Sequence, residues 1–414
     1  MKLNQKHTIY ASYIGYITQA IINNLPPLLF IIFRNEFGVS LDKIGLLISI
    51  NFGVQILVDF LSAKFVDKIG YRISIIAAHI FCTVGLVSMG VLPLIMKDAY
   101  LGLVLAMCLN AIGGGIIEVL ISPIVESVPG DAKDQAMSLL HSFYCWGHVS
   151  VVLLTTLYFA LFTTSAWRIL PILWAIVPFM NIFYFSKVQL FSLVEAEHQI
   201  PLRKLFKVKV FWILFLLMIC SGASEQAMSQ WSSLFAEIGV GVSKTMGDLL
   251  GPCFFAVLMG VSRVFYGVKG DKIELKRFLV GSSMLCVLSY LLAVFSPIPI
   301  LSLMGCAICG LSVGIMWPGC FSLAAKEYPA GGTGMFAFLA LAGDLGCSSG
   351  PGIVGMISEK VQDTGTSFLE PFLLGQDVTQ LGMKTGLLVA ILFPILLIIG
   401  IFLLNRKGKY CYWK

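Results

Sequence analysis

Charged residues are scarce in this sequence. Only 12% of its 414 residues are Asp, Glu, Lys or Arg, whereas 58% are hydrophobic. Soluble domains carry charge on about a quarter of their residues, so this composition excludes a soluble globular protein. We therefore expect an integral membrane protein in contact with a lipid bilayer, and the net charge of +6 gives no reason to expect nucleic-acid binding.

Several motifs of other protein classes are also missing. No GxxxxGK[ST] phosphate-binding loop occurs, so this chain does not drive transport with ATP on its own. None of the eleven cysteines falls in a predicted outer loop, so we expect no disulfides. Cys306 and Cys309 form a CxxC within an apolar run, where small packing residues are expected. His141 and His148 have no third ligand, and we expect neither a metal nor a cofactor.

Long apolar runs dominate the chain. A helix of about 20 apolar residues crosses about 30 Å of hydrocarbon. Twelve such runs begin near residues 8, 44, 73, 99, 135, 166, 210, 246, 277, 298, 333 and 382. The first has no signal-peptide cleavage pattern, so we expect it to be retained. The predicted fold class is all-α integral membrane, with twelve transmembrane helices.

Lys and Arg are concentrated in alternate loops. If both termini are cytoplasmic, most of the 28 Lys and Arg lie on the cytoplasmic side, as the retention of positive charge on that side requires. The inverted topology would need the opposite bias. We expect a multi-pass protein of the inner (plasma) membrane of the cell, with both termini in the cytoplasm.

The two halves of the sequence resemble each other. AKFVDKIGYR, at 63–72, follows the second run, and GVKGDKIELKR, at 267–277, follows the eighth. A repeat at a spacing of about 200 residues is typical of a two-bundle transporter, whose site lies near the middle of the bilayer. We predict two pseudo-symmetric six-helix bundles, at 1–190 and 210–414, joined by a cytoplasmic linker at 191–209.

Glu118 lies in the middle of the apolar run GGGIIEVLISP, at 113–123. A carboxylate at the centre of a membrane helix costs about 2.5–3.5 kcal/mol on insertion, so such acids face a cavity, a partner or a proton path. Because a carboxyl group removed from water can exchange a proton near neutral pH, Glu118 is the predicted proton-coupling residue. A structural contact with a neighbouring helix is the alternative.

The run SGASEQAMSQW, at 221–231, carries a carboxylate, two amides and an indole on one helix. Amides bind hydroxyl groups and an aromatic plane packs under a sugar ring, so this helix is suited to a polyhydroxylated solute. Bonding between helices is the alternative. The predicted substrate-binding residues are Asn23, Asn24, Glu118, His141, Tyr144, Glu225, Gln226, Trp231 and Trp317.

Asp59 and Arg263 precede Asp67 and Asp271 of the repeated loops by the same number of residues. They therefore occupy corresponding places in the two halves, with opposite charge. We predict that Asp59 and Arg263 form gating salt bridges, with Asp344 as a candidate partner on either side. Asp67 and Asp271 are also predicted gating residues. A fixed structural ion pair is the alternative.

The twelve runs and the paired loops resemble the major facilitator superfamily. In that family the loop after the second helix reads Gly, three residues, Asp, a basic residue, any residue and Gly, followed by basic residues. Here Ala63 replaces the first Gly of the first copy, and Glu274 replaces the second Gly of the second copy. The resemblance implies that Asp67 and Asp271 clamp neighbouring helices on the inner face.

Within that family, GGGIIEVLISPIVESVP resembles the fucose permease branch of sugar:proton symporters. Glu118 and Pro123 match the branch, whereas Ser122 stands where the branch has Asn. In the first span AIINNL also matches, but Pro26 and Pro27 replace the branch's Asn and its proton-linked Asp. One of the two acids that the branch is thought to use is therefore missing.

We predict a monomeric secondary active transporter, and no enzyme, that moves a small polar organic solute by alternating access with H+ as the coupling ion. A sugar or a polyol is the expected solute. A proton-driven exporter of drugs or organic ions is one alternative, since Met228, Met316 and many phenylalanines suit apolar ligands. A non-transporting membrane solute sensor is another.

Overall fold

The computed structural model describes residues 5–126, 128, 132–190, 205–269, 273–328, 332–373 and 375–407. Within these ranges, the side chains of residues 63–65, 67–68, 126, 132–139, 141, 267–269, 325, 332–334, 336–337 and 405–407 are outside the description. The described chain is helical and contains no strand. It forms two compact units, Met1–Glu195 and Ala196–Lys414. The predicted linker lies mostly outside the described residues, and the predicted domain boundaries stay a prediction.

The first unit is built around its first helix. Two thirds of the residues of that helix are buried, and the helix packs against the fourth, fifth and seventh helices of the unit. The helices are α1 (Gln5–Phe37), α2 (Leu41–Ile69), α3 (Tyr71–Ile95), α4 (Ala99–Glu126), α5 (Ala132–Phe162), α6 (Ile169–Trp174) and α7 (Ile176–Lys187).

The second unit is more interrupted. Its first two spans are joined through two π-helical turns, Phe235–Gly239 and Leu249–Cys253. The helices are α8 (Lys209–Leu234), α9 (Lys244–Asp248), α10 (Phe254–Lys269), α11 (Leu275–Phe295), α12 (Pro299–Val313), α13 (Met316–Glu327), α14 (Gly332–Thr364), α15 (Val378–Val389) and α16 (Leu392–Lys407).

Eleven segments of the described chain are helices long and apolar enough to cross a bilayer. The remaining predicted span coincides with α14, a helix of 33 residues. Asp344 and the serines and glycines that follow it lower the hydropathy of that helix. The prediction of an all-α, twelve-helix membrane fold is confirmed.

Glycines set the distance between α8 and α14. Gly346 lies directly on the backbone of α8, where an added Cβ would come within 2.8 Å of the amide nitrogen of Ala223 and closer still to the carbonyl oxygen of Ile219. Gly350 meets Ala223 in the same way. Helices in a bilayer gain little from burying apolar surface, so close backbone contact of this kind holds them together.

Arg72, at the end of the first repeated loop motif, fastens α3 to the end of α7. Its guanidinium donates hydrogen bonds to the carbonyl oxygens of Phe185, Ser186 and Val188 at 2.7, 2.8 and 2.8 Å. These carbonyls belong to the negative end of the helix dipole, where a cation is stabilising. In the second unit, Lys276 instead pairs with Glu327 of α13 at 2.7 Å.

We predict that Gly346→Ala destabilises the protein by about 1–3 kcal/mol, because the added methyl group overpacks the contact between α8 and α14. Gly281→Ala is the matched control. Gly281 is also helical, but an added Cβ there would meet nothing within 4 Å, so alanine should be neutral or stabilise by up to about 1 kcal/mol. Thermal unfolding in detergent measures both changes, and equal losses at the two positions would contradict this account of the packing.

Candidate functional site

Glu118 lies at the edge of a polar network inside the first unit. It projects from α4 and is partly accessible. Gln19 of α1 donates a hydrogen bond from Nε2 to Glu118 Oε2 at 3.3 Å. The same Nε2 lies 3.3 Å from Gln55 Oε1 on α2. One amide therefore links the carboxyl group of α4 to two other helices.

The network continues away from Glu118 through side-chain amides alone. Gln55 Nε2 donates to Asn23 Oδ1 at 3.2 Å, and Asn51 Nδ2 lies 3.4 Å from the same oxygen. All four amide residues are at least nine-tenths buried. We call Gln19, Asn23, Asn51 and Gln55 the amide network. Each amide can both donate and accept, so the four side chains bond to one another within the buried interior of the unit.

Two glycines of α4 leave room for polar side chains of α1 and α2 next to Glu118. A Cβ at Gly114 would lie 3.0 Å from Gln19 Oε1. A Cβ at Gly115 would lie 3.1 Å from Asp59 Oδ1 of α2. Asp59, predicted as a gating residue, thus lies against α4 one turn before Glu118. Its gating role stays a prediction.

The fifth span contributes to the same unit. Asn24 Nδ2 lies 3.4 Å from Tyr144 Oη of α5, and it donates a shorter bond of 2.9 Å to the carbonyl oxygen of Ala20. Tyr144 is partly accessible. The side chain of His141 lies outside the described residues, so its predicted contact with solute stays untested.

In the second unit the predicted polar face of α8 is present. Gln230 Nε2 donates to Gln226 Oε1 at 3.0 Å, and Gln226 Nε2 lies 3.4 Å from Glu225 Oε1. Arg263 of α10 places Nη2 3.9 Å from Glu225 Oε2 and donates from Nε to the carbonyl oxygen of Gly314 at 3.1 Å. Glu225 is therefore a partner of Arg263, which the sequence alone could not assign.

The two predicted tryptophans have different surroundings. Trp231 is fully buried, and its Nε1 donates to the carbonyl oxygen of Pro351 at 3.0 Å. Trp317 is partly accessible, and its ring covers Gly343 of α14. Asp344, the next residue, is 3% exposed. The side chains of the other two predicted gating residues, Asp67 and Asp271, lie outside the described residues.

The cysteines of the CxxC are packing residues. Cys306 and Cys309 are buried, and Cys309 Sγ lies 3.9 Å from Cys286 Sγ of α11. The ten cysteines of the described chain carry free thiols. Among the described residues, no group of three or more His, Cys, Asp or Glu side chains is arranged to hold a metal ion.

Sequence reasoning missed three of the four members of the amide network. It named Asn23 but not Gln19, Asn51 or Gln55. A signal was present, since Gln19 and Asn23 are four residues apart on α1, and Asn51 and Gln55 are four apart on α2. That spacing puts each pair on one helix face, within runs that are otherwise apolar.

It also missed an ionic cluster that joins the first π-helical turn to α9 and in which Asp248 is fully buried. Lys244 Nζ lies 3.0 Å from Asp248 Oδ2 and 3.4 Å from Glu237 Oε1, and Ser233 donates to Asp248. A π-helical turn leaves no pattern in hydropathy, and turns of this kind recur at functional sites.

Comparison with known proteins supports the fold. The sequence model of the Major Facilitator Superfamily matches residues 12–351. Among curated proteins, the membrane protein MosC of Rhizobium meliloti is 30% identical over 170 residues, which are 40% of this chain and 40% of MosC. The match thus spans two fifths of that relative's length.

Solved structures share the fold over nearly the whole chain. A bacterial homolog of the human lysosomal transporter Spinster, inward-facing and unoccupied, has a TM-score of 0.78 at 14% identity, covering 100% of this chain and 99% of that one. The nucleoside transporter NupG has a TM-score of 0.70 at 14% identity, covering 99% and 100%. FucP in the outward conformation has 0.63 at 15%, covering 96% and 98%. At these identities the likeness shows the fold alone.

We predict that Lys244→Met lowers the free energy of unfolding by about 3 kcal/mol, because it leaves the buried carboxylate of Asp248 and the partly accessible carboxylate of Glu237 without a cation. Arg277→Met is the matched control, since Arg277 pairs only with exposed Glu274 and exposed ion pairs contribute little. Thermal unfolding in detergent measures both variants. A loss for Lys244→Met no larger than that for the control would show that the cluster does not stabilise the second unit.

Proposed function

This multi-pass membrane protein belongs to the Major Facilitator Superfamily, and we propose that it is a secondary active transporter that moves a small polar organic solute by alternating access. The family match supports a transporter rather than an enzyme. The proposed solutes are sugars and polyols, and the proposed coupling ion is H+.

The observation that carries this proposal is the amide network joined to Glu118. Gln19 Oε1 and Asn51 Oδ1 accept no hydrogen bond from the described residues, so both have capacity for a hydroxyl donor. Pockets for small molecules combine apolar walls with a few converging polar groups of this kind. Tyr144 and Asn24 add a second polar pair in the same unit.

Proton coupling is assigned to Glu118 because the amide network contacts this carboxyl group by a hydrogen bond. Its partner Gln19 can serve both protonation states, since an amide donates to a carboxylate and accepts from a carboxylic acid. Gain or loss of the proton would therefore reorient Gln19, and with it the hydrogen bonds to Gln55. The hydrogen-bonding groups offered to a hydroxyl group of the solute would then depend on whether Glu118 carries a proton.

Glu225, Gln226, Trp231 and Trp317 are the proposed contributors from the second unit. The pair of Glu225 with Arg263 favours a structural or gating role for this acid beside its predicted role with the solute. We further propose that the protein works as a monomer in the plasma membrane, with both termini in the cytoplasm.

We predict that Glu118→Gln abolishes solute accumulation driven by a pH gradient in proteoliposomes, because a side chain without a titratable group cannot carry the proton. Exchange of labelled for unlabelled solute, which needs no net proton movement, should persist. Glu370→Gln is the matched control: this acid is exposed, and the change should leave both assays unaltered. Accumulation by Glu118→Gln at the wild-type rate would overturn the coupling role.

The proposed topology gives a separate prediction. A protease or an impermeant antibody added to intact spheroplasts should not reach an epitope tag at either terminus, and both tags should become accessible after permeabilisation. A tag that reacts before permeabilisation would contradict the orientation inferred from the distribution of Lys and Arg.

A further inference from the structure

Glu118 differs from the other intramembrane carboxylates whose partners are known. Glu225 has Arg263 at 3.9 Å, and Asp248 and Glu237 share Lys244 at 3.0 and 3.4 Å. Within the described chain, no Lys, Arg or His side chain makes an ion pair or hydrogen bond with Glu118. Its hydrogen-bond donor is the neutral amide of Gln19.

A second negative charge lies nearby. Asp59 sits against Gly115, one turn before Glu118 on α4. Gln19 of α1 presents its amide to Glu118, and Gln55 of α2 is hydrogen-bonded to that amide. Among the described residues, Glu118 thus has a neutral amide as its hydrogen-bond partner and a second carboxyl group close by.

The amide network that begins at Glu118 contains two unused acceptors. Gln19 is 5% exposed and Asn51 is 2% exposed, and each has a side-chain oxygen that receives no hydrogen bond from the described residues. A protonated amine supplies three N–H donors and a positive charge. Hydroxyl groups on the same molecule would supply donors to the remaining amide oxygens.

We propose that the solute is an amine-bearing polyhydroxylated compound, such as an amino sugar or an amino polyol, whose ammonium group binds Glu118. This inference rests on the proposed function, because it names the solute class of the same site. The inferred solute differs from a neutral sugar in carrying a positively charged amino group, at a similar molecular size. The hydroxyl groups bind the amide network, and the ammonium group supplies the countercharge that the described residues of the first unit do not provide to Glu118.

Matched pairs of ligands test the inference. Binding of sorbitol and glucamine, and of glucose and glucosamine, is measured by calorimetry on the purified full-length protein at neutral pH. The amine-bearing member of each pair should bind with a Kd at least about tenfold lower, the scale of one hydrogen bond to a charged group. N-acetylglucosamine, in which the amine is uncharged, should bind no better than glucose.

Two variants assign the effect to Glu118. Glu118→Gln should reduce the preference for the amine to within about twofold, whereas Glu118→Asp, which keeps the charge, should retain most of it. Glu370→Gln should behave as the wild type. Each variant is first checked by thermal unfolding, and the ligand pairs on the wild type provide a test that needs no variant.

Equal affinity for the two members of each pair, or no binding of the amine-bearing members, would overturn the inference. A second outcome would also overturn the inference: NaCl raises the unfolding temperature of the wild type, choline chloride and the amines do not, and Glu118→Gln abolishes the effect of NaCl. This result would identify the site as one for an inorganic cation. Uptake of neutral sugars on a pH gradient would then leave the proposed function intact. Binding of amines without any transport would retain the inference and overturn the proposed function.

Discussion

The hydrogen bond between Gln19 and Glu118 is the interaction on which this account depends. A carboxyl group inside an apolar helix is unfavourable unless another group compensates for the water it has lost. Here the compensation comes from a neutral amide that is itself held by Gln55, so three helices of the first unit meet at one side chain. Such an arrangement can respond to a proton or a ligand, whereas a tight ion pair with a basic residue would hold the charge permanently.

In the second unit, three carboxyl groups are compensated by basic side chains. Its acids at positions 225, 237 and 248 lie beside Arg263 or Lys244. Arg263 is also tied to the carbonyl oxygen of Gly314. Corresponding positions in the two sequence repeats therefore have different chemistry: Asp59 in the first unit adds negative charge near Glu118, and Arg263 in the second compensates Glu225. The repeat preserves the fold, whereas the charged side chains differ between its two copies.

Much of the fold could be predicted from the sequence, because hydropathy and helix length follow directly from the thickness of the bilayer. The all-helical membrane fold and the membership of the superfamily are confirmed. The polar site was predicted less completely. Glu118 and Asn23 were evident because they interrupt apolar runs, but the partner of Arg263 depends on contacts between helices that no sequence spacing determines.

The π-helical turns and the ionic cluster around Lys244 were missed for a related reason. One extra residue in a helical turn changes the direction of every side chain after it, while composition and hydropathy stay the same. Fucose-permease-like motifs pointed to Glu118 but could not reveal that Gln19 bonds to it and connects it to the amides at positions 51 and 55. The roles of the individual site residues stay predictions.

The central claim is that solute and proton meet at Glu118. The most direct test measures the number of protons released or taken up when solute binds to the purified protein in weakly buffered solution near neutral pH. The account predicts a change in bound protons for the wild type that disappears in Glu118→Gln, although the variant still binds solute. An unchanged proton count in Glu118→Gln would contradict it.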